Sequence, residues 1–209
     1  MLATVKGVFV VKMSIRGMLS FNPSYRHGVI LVLFAGLCWS SMGLGIRFIE
    51  TANVWQILFY RSLSLAPFLF LVIVARSGGN PFPVIRKVGL AGLIGGVALV
   101  FAFTGGIFAI QATTVANAMF LFAAAPFLAA LLGLVILGER VRTATWWAMM
   151  VAMTGIAIMV WEGISLGRMS GNVAALISAL GFAVFTITLR WRKVEDMMPT
   201  VFLAGLFAI

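Results

Sequence analysis

Arg61 stands well inside a long apolar run, seven residues after that run opens at Val54. A charge at such a depth costs ~2.5–3.5 kcal/mol, so its guanidinium has to meet a partner or an aqueous cavity. Roughly 10 Å of helix separates it from the nearer interface, which its stem could span by snorkelling. Structural pairing is one reading; contact with an anionic group of a solute is the other. Asn117, in a later run, brings an amide that either hydrogen-bonds to a neighbouring helix, for about 0.6–2 kcal/mol in membranes, or lines a polar path. Trp39, Ser40 and Ser41 lie together near the middle of the first run, where an aromatic face and two hydroxyls could wall a cavity or pack between helices. Phe103, Thr104, Phe120 and Phe182 could extend that wall.

The remaining polar and breaker residues suggest little further chemistry. Pro126 falls inside an apolar run and is expected to kink its helix there, as a candidate hinge. Glu139 stands beside Arg140 and Arg142, which suggests a helix-end cap or a local ion pair. Gly92 and Gly96 are spaced for close helix contact. His27 is the one histidine, without acidic residues clustered beside it, and Cys38 is the one cysteine. No disulfide within the chain, metal site or cofactor is therefore expected. Acyl- or glycosyl-transfer in a membrane normally needs a grouped His, Asp or metal set, and the five acidic residues form none.

These residues are carried on elements whose class follows from composition. Apolar residues are 63% of the 209 and charged residues 10%, with a mean hydropathy of +1.14. A water-soluble domain carries about 25% charged residues; this chain could not cover a soluble surface. The expectation is an all-α membrane protein. Runs long enough to cross ~30 Å of hydrocarbon as helix are placed at 28–49, 54–75, 88–110, 115–137, 143–162 and 172–190, with a seventh opening at 198 and reaching 209. This gives six complete spans and a partial seventh. Gly78-Gly79-Asn80-Pro81, Gly138, Gly167, Gly171-Asn172 and Pro199 punctuate the connections.

The net charge of +10 is scattered at the edges of apolar runs rather than interleaved with aromatics, which argues against nucleic acid and for topology. Lys6, Lys12, Arg16 and Arg26 precede the first span. Arg76, Arg86, Lys87, Arg140, Arg142, Arg190, Arg192 and Lys193 fall in the alternate connections, whereas only Arg47 and Arg168 fall on the other side. The positive-inside rule puts the amino terminus in the cytoplasm. Residues 1–27 then form a basic cytoplasmic tail. Its apolar stretch 8–11 is too short for a signal-peptide core, and a start at Met13 or Met18 is the alternative.

Shifting the chain by 143 residues sets Gly28 on Gly171, Leu33 on Leu176, Leu37 on Leu180 and Arg47 on Arg190, with Trp39 on Phe182 and Ser40 on Ala183. The first span thus matches the sixth. Five spans separate the two starts, so the copies enter from opposite faces, as in inverted-repeat transporters whose solute sites lie between repeats near the midplane. On this reading 28–162 is one five-helix repeat and 172–209 the start of its inverted partner, which would need roughly 85–100 further residues to be complete.

Phe108-Ala109-Ile110-Gln111-Ala112-Thr113-Thr114-Val115-Ala116-Asn117-Ala118, then Pro126, then Leu137-Gly138-Glu139-Arg140 and Gly155-Ile156-Ala157-Ile158-Met159 form a sequence of motifs. Together with Gly36, Trp39, Ser40, Ser41 and Arg61, they resemble the EamA-type domain of the drug/metabolite transporter superfamily over 28–209. The resemblance implies a ten-helix inner-membrane transporter of small metabolites or drugs, built as a 5+5 inverted repeat and working by alternating access, with export ahead of import. Trp39, Ser40, Ser41, Arg61, Phe103, Asn117, Phe120 and Phe182 are the expected solute-path residues. The partners are the lipid bilayer, a small-molecule substrate and, for a half-transporter that needs a second chain, another copy as a homodimer. No Asp or Glu lies mid-span, so proton coupling through a first-span carboxylate is not expected.

Overall fold

The computed structural model describes residues 23–49, 51–139, 141–165, 167–193 and 196–209. The tail residues Lys6, Lys12, Arg16, 8–11, Met13 and Met18, and Arg140, lie outside the described residues. The described chain is helical, in the order α1 Pro23–Phe48, α2 Val54–Arg76, α3 Phe82–Lys87, α4 Gly89–Ala112, α5 Val115–Phe122, α6 Ala125–Leu137, α7 Thr143–Ser165, α8 Met169–Trp191 and α9 Met198–Phe207.

Among the described residues, five stretches are long and apolar enough to cross a membrane: His27–Phe48, Val54–Arg76, Gly89–Ala112, Val115–Leu137 and Met169–Trp191. Thr143–Ile158 and Met198–Phe207 are shorter apolar helices. The chain is a multi-pass integral membrane protein. Phe101, Val135, Trp147 and Val151 each leave more than half of their surface uncovered, an apolar exterior suited to lipid tails rather than water.

The chain divides into two units, Met1–Met42 and Gly43–Ile209. The described part of the first is residues 23–42 of α1, where Ser41 Oγ donates to the Cys38 carbonyl at 2.8 Å. The second contains residues 43–48 of α1 and all of α2–α9. α8 and α4 are its centre, with 61% and 44% of their apolar windows buried against 22% for α2. α4 packs along α8 and α9, and α9 also packs against α2.

The local chemistry of each end sets the helices. Asn53 caps α2 in a reciprocal capping box: its Oδ1 accepts from Gln56 N at 2.9 Å, and Gln56 Oε1 accepts from Asn53 N at 3.0 Å. Thr114 Oγ1 caps α5 by accepting from Asn117 N at 3.2 Å. Gly138 closes α6 in the left-handed conformation, φ 66°, which glycine adopts without the Cβ penalty.

The fourth expected span, 115–137, is one apolar stretch interrupted just before Pro126: α5 ends at Phe122, a turn occupies Ala123 and Ala124, and Pro126 sits in the first turn of α6. A proline has no N–H for the carbonyl four residues back and collides with it, so the helix breaks upstream and restarts where proline fits. The third span, expected from 88, is preceded by a separate short helix, α3.

α4 and α8 run antiparallel at very close range. A Cβ added to Gly105 would stand 2.8 Å from the Ala174 carbonyl oxygen, and one added to Gly181 would stand 2.7 Å from that of Ala98. Ser178 Oγ donates across the same seam to the Ala102 carbonyl at 2.5 Å. Small residues allow backbones to approach where lipid offers no hydrophobic drive for association. Of the pair singled out by spacing, Gly96 faces Ala204 and Phe207 of α9, whereas Gly92 faces Val88 on its own chain segment.

Candidate functional site

Within the second unit, α2 presents Arg61 to α4. Its guanidinium carbon lies 3.7 Å from the centroid of the Phe103 ring, so among the described residues the charge is met by an aromatic face. A cation over a ring is worth ~0.5–1 kcal/mol when exposed and about 2 or more when desolvated. Arg61 and Phe103 are both only partly buried, so the pair can still be reached by another group.

Phe103 in turn packs on a core of Ala98, Leu99, Phe185, Leu189 and Ala204. Phe182 joins the same group through Phe185, with ring centroids 5.8 Å apart. Three of the expected residues, Arg61, Phe103 and Phe182, are therefore linked through α2, α4 and α8. Phe185 is the connecting residue that spacing did not single out, although it falls three positions after Phe182 on one helical face.

Among the described residues, three buried polar atoms have no hydrogen-bond partner: Ser62 Oγ on α2, Asn172 Nδ2 on α8 and Thr200 Oγ1 on α9. Leaving such a group unpaired costs about 1–3 kcal/mol. Ser62 immediately follows Arg61 in the sequence. The methyl of Thr200 and the ring of Phe185 both lie against Gly95, at 3.0 and 3.4 Å from where its Cβ would be. Neither hydroxyl was anticipated, because serine and threonine in an apolar run carry no sequence mark of which way they face.

Asn117 lies at the far end of the same helices. Its Nδ2 donates to Asn172 Oδ1 of α8 and, at 3.2 Å, to Thr113 Oγ1. The Thr113 carbonyl accepts from Arg47 Nη2 at 2.6 Å, and Gln111 Nε2 donates to the Ala52 carbonyl at 3.0 Å. This polar knot ties the ends of α1, α2, α4, α5 and α8 together. Asn172 is fully buried one turn into α8, not at the edge of a connection as the Gly-Asn pair suggested.

Phe120 is 65% exposed and Thr104 Oγ1 donates to the Val100 carbonyl of its own helix at 2.8 Å. Trp39, Ser40 and Ser41 belong to the first unit. Glu139 pairs with Arg190, 51 residues away, and not with its neighbour Arg142: Arg190 Nη2 lies 2.6 and 2.7 Å from the two carboxylate oxygens. Gly133 leaves room for this pair between α6 and α8. Among the described residues, no group of three or more His, Cys, Asp or Glu could hold a metal ion.

Apolar spans, a partly buried cation on an aromatic ring and closely packed small-residue helices describe a membrane bundle with polar groups held inside it. The model of the EamA-like transporter family matches residues 26–161, well over half of the chain. The chain belongs to that family. EamA-like transporters are part of the drug/metabolite transporter superfamily, so the class of activity is membrane transport. The match takes in Arg61, Phe103, Asn117, Phe120 and Pro126, while Phe182, Phe185, Asn172 and Thr200 lie beyond it. No curated protein and no solved structure matches the chain significantly.

Proposed function

We propose that the chain moves small metabolites or drugs across the cytoplasmic membrane by alternating access, with export as the direction and with its amino terminus in the cytoplasm. The observation that carries this reading is Arg61 held on the Phe103 ring among apolar helices. A charge kept there without a carboxylate beside it among the described residues, at the cost such burial carries, is suited to a passing solute with an anionic or carbonyl group and an apolar body. Phe182 and Phe185 extend the aromatic wall that such a body would meet.

The architecture proposed is the inverted 5+5 repeat, with α7 as a complete span and α9 as the seventh. The match of α1 with α8 supports it, as do the parallel roles of Arg47 and Arg190. Each of these sits at the end of its helix and ties it to a connection between two others, Arg47 to Thr113 and Arg190 to Glu139. Basic residues gather at one end, where Arg76, Lys87, Arg192 and Lys193 come together around two adjoining cavities; this supports a cytoplasmic orientation of that end.

Counterflow in vesicles carrying the full chain, with a panel of labelled carboxylates, amino acids and aromatic dyes, tests the proposal. At least one probe is expected to accumulate over empty vesicles. Arg61→Ala should then lower its apparent affinity or rate by about tenfold or more, with Arg61→Lys retaining part and Phe103→Leu falling between. Full transport by Arg61→Ala would remove the assigned role. Transport restricted to a crosslinked dimer would assign the work to two paired chains.

A further inference from the structure

A second polar site, unconnected with Arg61, opens where α3 meets the end of α8 and the start of α9. A cavity of about 430 Å³ is lined by Pro83, Val84, Lys87, Val88, Arg192, Lys193, Asp196 and Pro199. Its volume lies within the ~300–1,000 Å³ of sites that hold small molecules. The floor is apolar, from buried Val88 and Pro199. Among the described residues the rim carries three cations against one carboxylate, and that carboxylate is partly engaged: Asp196 Oδ1 accepts from Met198 N at 3.0 Å. A smaller adjoining cavity of about 210 Å³ shares Val84 and Asp196 and adds Arg76.

Like charges repel, so Lys87, Arg192 and Lys193 held around one cavity favour an anion between them. Lys193 also adopts a left-handed backbone, φ 51°, which costs a residue with a Cβ roughly 1–2 kcal/mol relative to glycine. Aromatic side chains flank the cleft at its own level: Phe82 opens α3 and Trp191 closes α8, both largely exposed. Aromatic residues at helix ends mark the headgroup layer, and basic pockets between spans at that depth attract anionic headgroups.

We infer that this cleft is a phosphate-binding site, in which Lys87, Arg192 and Lys193 close on the phosphate of an anionic lipid headgroup while acyl chains pass over the apolar floor. The same cations would serve a free phosphate, and the two sources separate by experiment. Binding is read without transport, so failure here leaves the solute path at Arg61 untouched.

The full chain in detergent is titrated with dioleoylphosphatidylglycerol, dioleoylphosphatidylcholine and inorganic phosphate, with affinity followed by thermal shift and native mass spectrometry. Phosphatidylglycerol should bind in preference to phosphatidylcholine, whose ammonium the cleft repels. Each cation near a headgroup is worth roughly fivefold in affinity, so Lys87→Gln, Arg192→Gln and Lys193→Gln together should weaken binding about a hundredfold. Arg142→Gln and Arg168→Gln, which do not line the cavity, should leave it unchanged. Asp196→Asn keeps the oxygen that accepts from Met198 and removes the opposing charge, so binding should tighten about fivefold, a gain that misfolding cannot produce. The same pattern across variants with inorganic phosphate, and no preference between the lipids, would support the site and assign it a soluble ligand. Equal binding of both lipids without a phosphate response, or affinities indifferent to the triple variant and to Asp196→Asn, would overturn the proposal.

Discussion

Replacing Gly181 by alanine forces a methyl into the seam between α8 and α4. The new Cβ would lie 2.7 Å from the Ala98 carbonyl oxygen, 3.0 Å from Ala102 N and 3.2 Å from Ala102 Cβ. Ordinary contact begins near 3.4 Å, so the seam must open by about 0.7 Å at the carbonyl; backbone cannot rotate out of the way, and a gap of that size forfeits a quarter to a half of each nearby dispersion contact. The opening also strains the hydrogen bond from Ser178 Oγ to the Ala102 carbonyl. Overpacking of this kind costs typically ~1–3 kcal/mol, which outweighs the gain of up to ~1 kcal/mol that alanine brings over glycine in a helix. Gly155 provides the opposite control, since it lies within α7 with nothing within 4 Å of a new Cβ. Gly155→Ala should therefore be neutral or stabilising. Reversible unfolding of the full chain in mixed micelles of increasing denaturing detergent, followed by circular dichroism, reads both. Equal midpoints for Gly181→Ala and the parent chain, or a loss in Gly155→Ala as large as in Gly181→Ala, would refute the close approach of α4 and α8.

Asn117→Ala leaves the buried Oδ1 of Asn172 without its donor and should cost about 1–3 kcal/mol of stability, while a double-mutant cycle with Asn172→Ala should give a coupling of roughly 0.6–1.7 kcal/mol; zero coupling in detergent unfolding would break the pairing. Glu139→Gln with Arg190→Gln should show a coupling of no more than ~1 kcal/mol, because both side chains are about half exposed, and it should shrink further in high salt. Pro126→Ala should shift stability by no more than about 1 kcal/mol, since proline is tolerated in the first turn of a helix; a gain of several kcal/mol in the same unfolding assay would mean that Pro126 is held inside a continuous helix instead.

The membrane class and the positions of most helices follow from local properties. A run of some twenty apolar residues has one hydrogen-bonding solution in lipid, so α2, α4 and α8 appear close to where hydropathy and breakers place them. Arg61 and Asn117 stand out for a similar reason, because a charge or amide in such a run is costly whatever surrounds it. The break between α5 and α6 was signalled by Pro126. Ala123 and Ala124, where the chain turns, are good helix formers, and the proline acts on the carbonyls before it.

Partners across the bundle were not legible. Glu139 sits three positions from Arg142 in the chain yet pairs with Arg190, because a charge that close past a helix end need not face the carboxylate. Asn172 reads as part of a breaker, yet burial one turn inside α8 makes it the acceptor for Asn117. Phe185, Ser62 and Thr200 are ordinary residues in apolar runs until neighbouring helices enclose them. By itself the sequence determined that the chain spans a membrane as helices, which residues are costly there, and the family motifs that accompany them. Only the tertiary structure decided that Arg61 rests on Phe103, that α4 and α8 touch backbone to backbone, and that Lys87, Arg192 and Lys193 share one cleft. Helix formation in lipid is decided within a segment, whereas the pairing of side chains depends on rotation and depth that only the packed neighbours set.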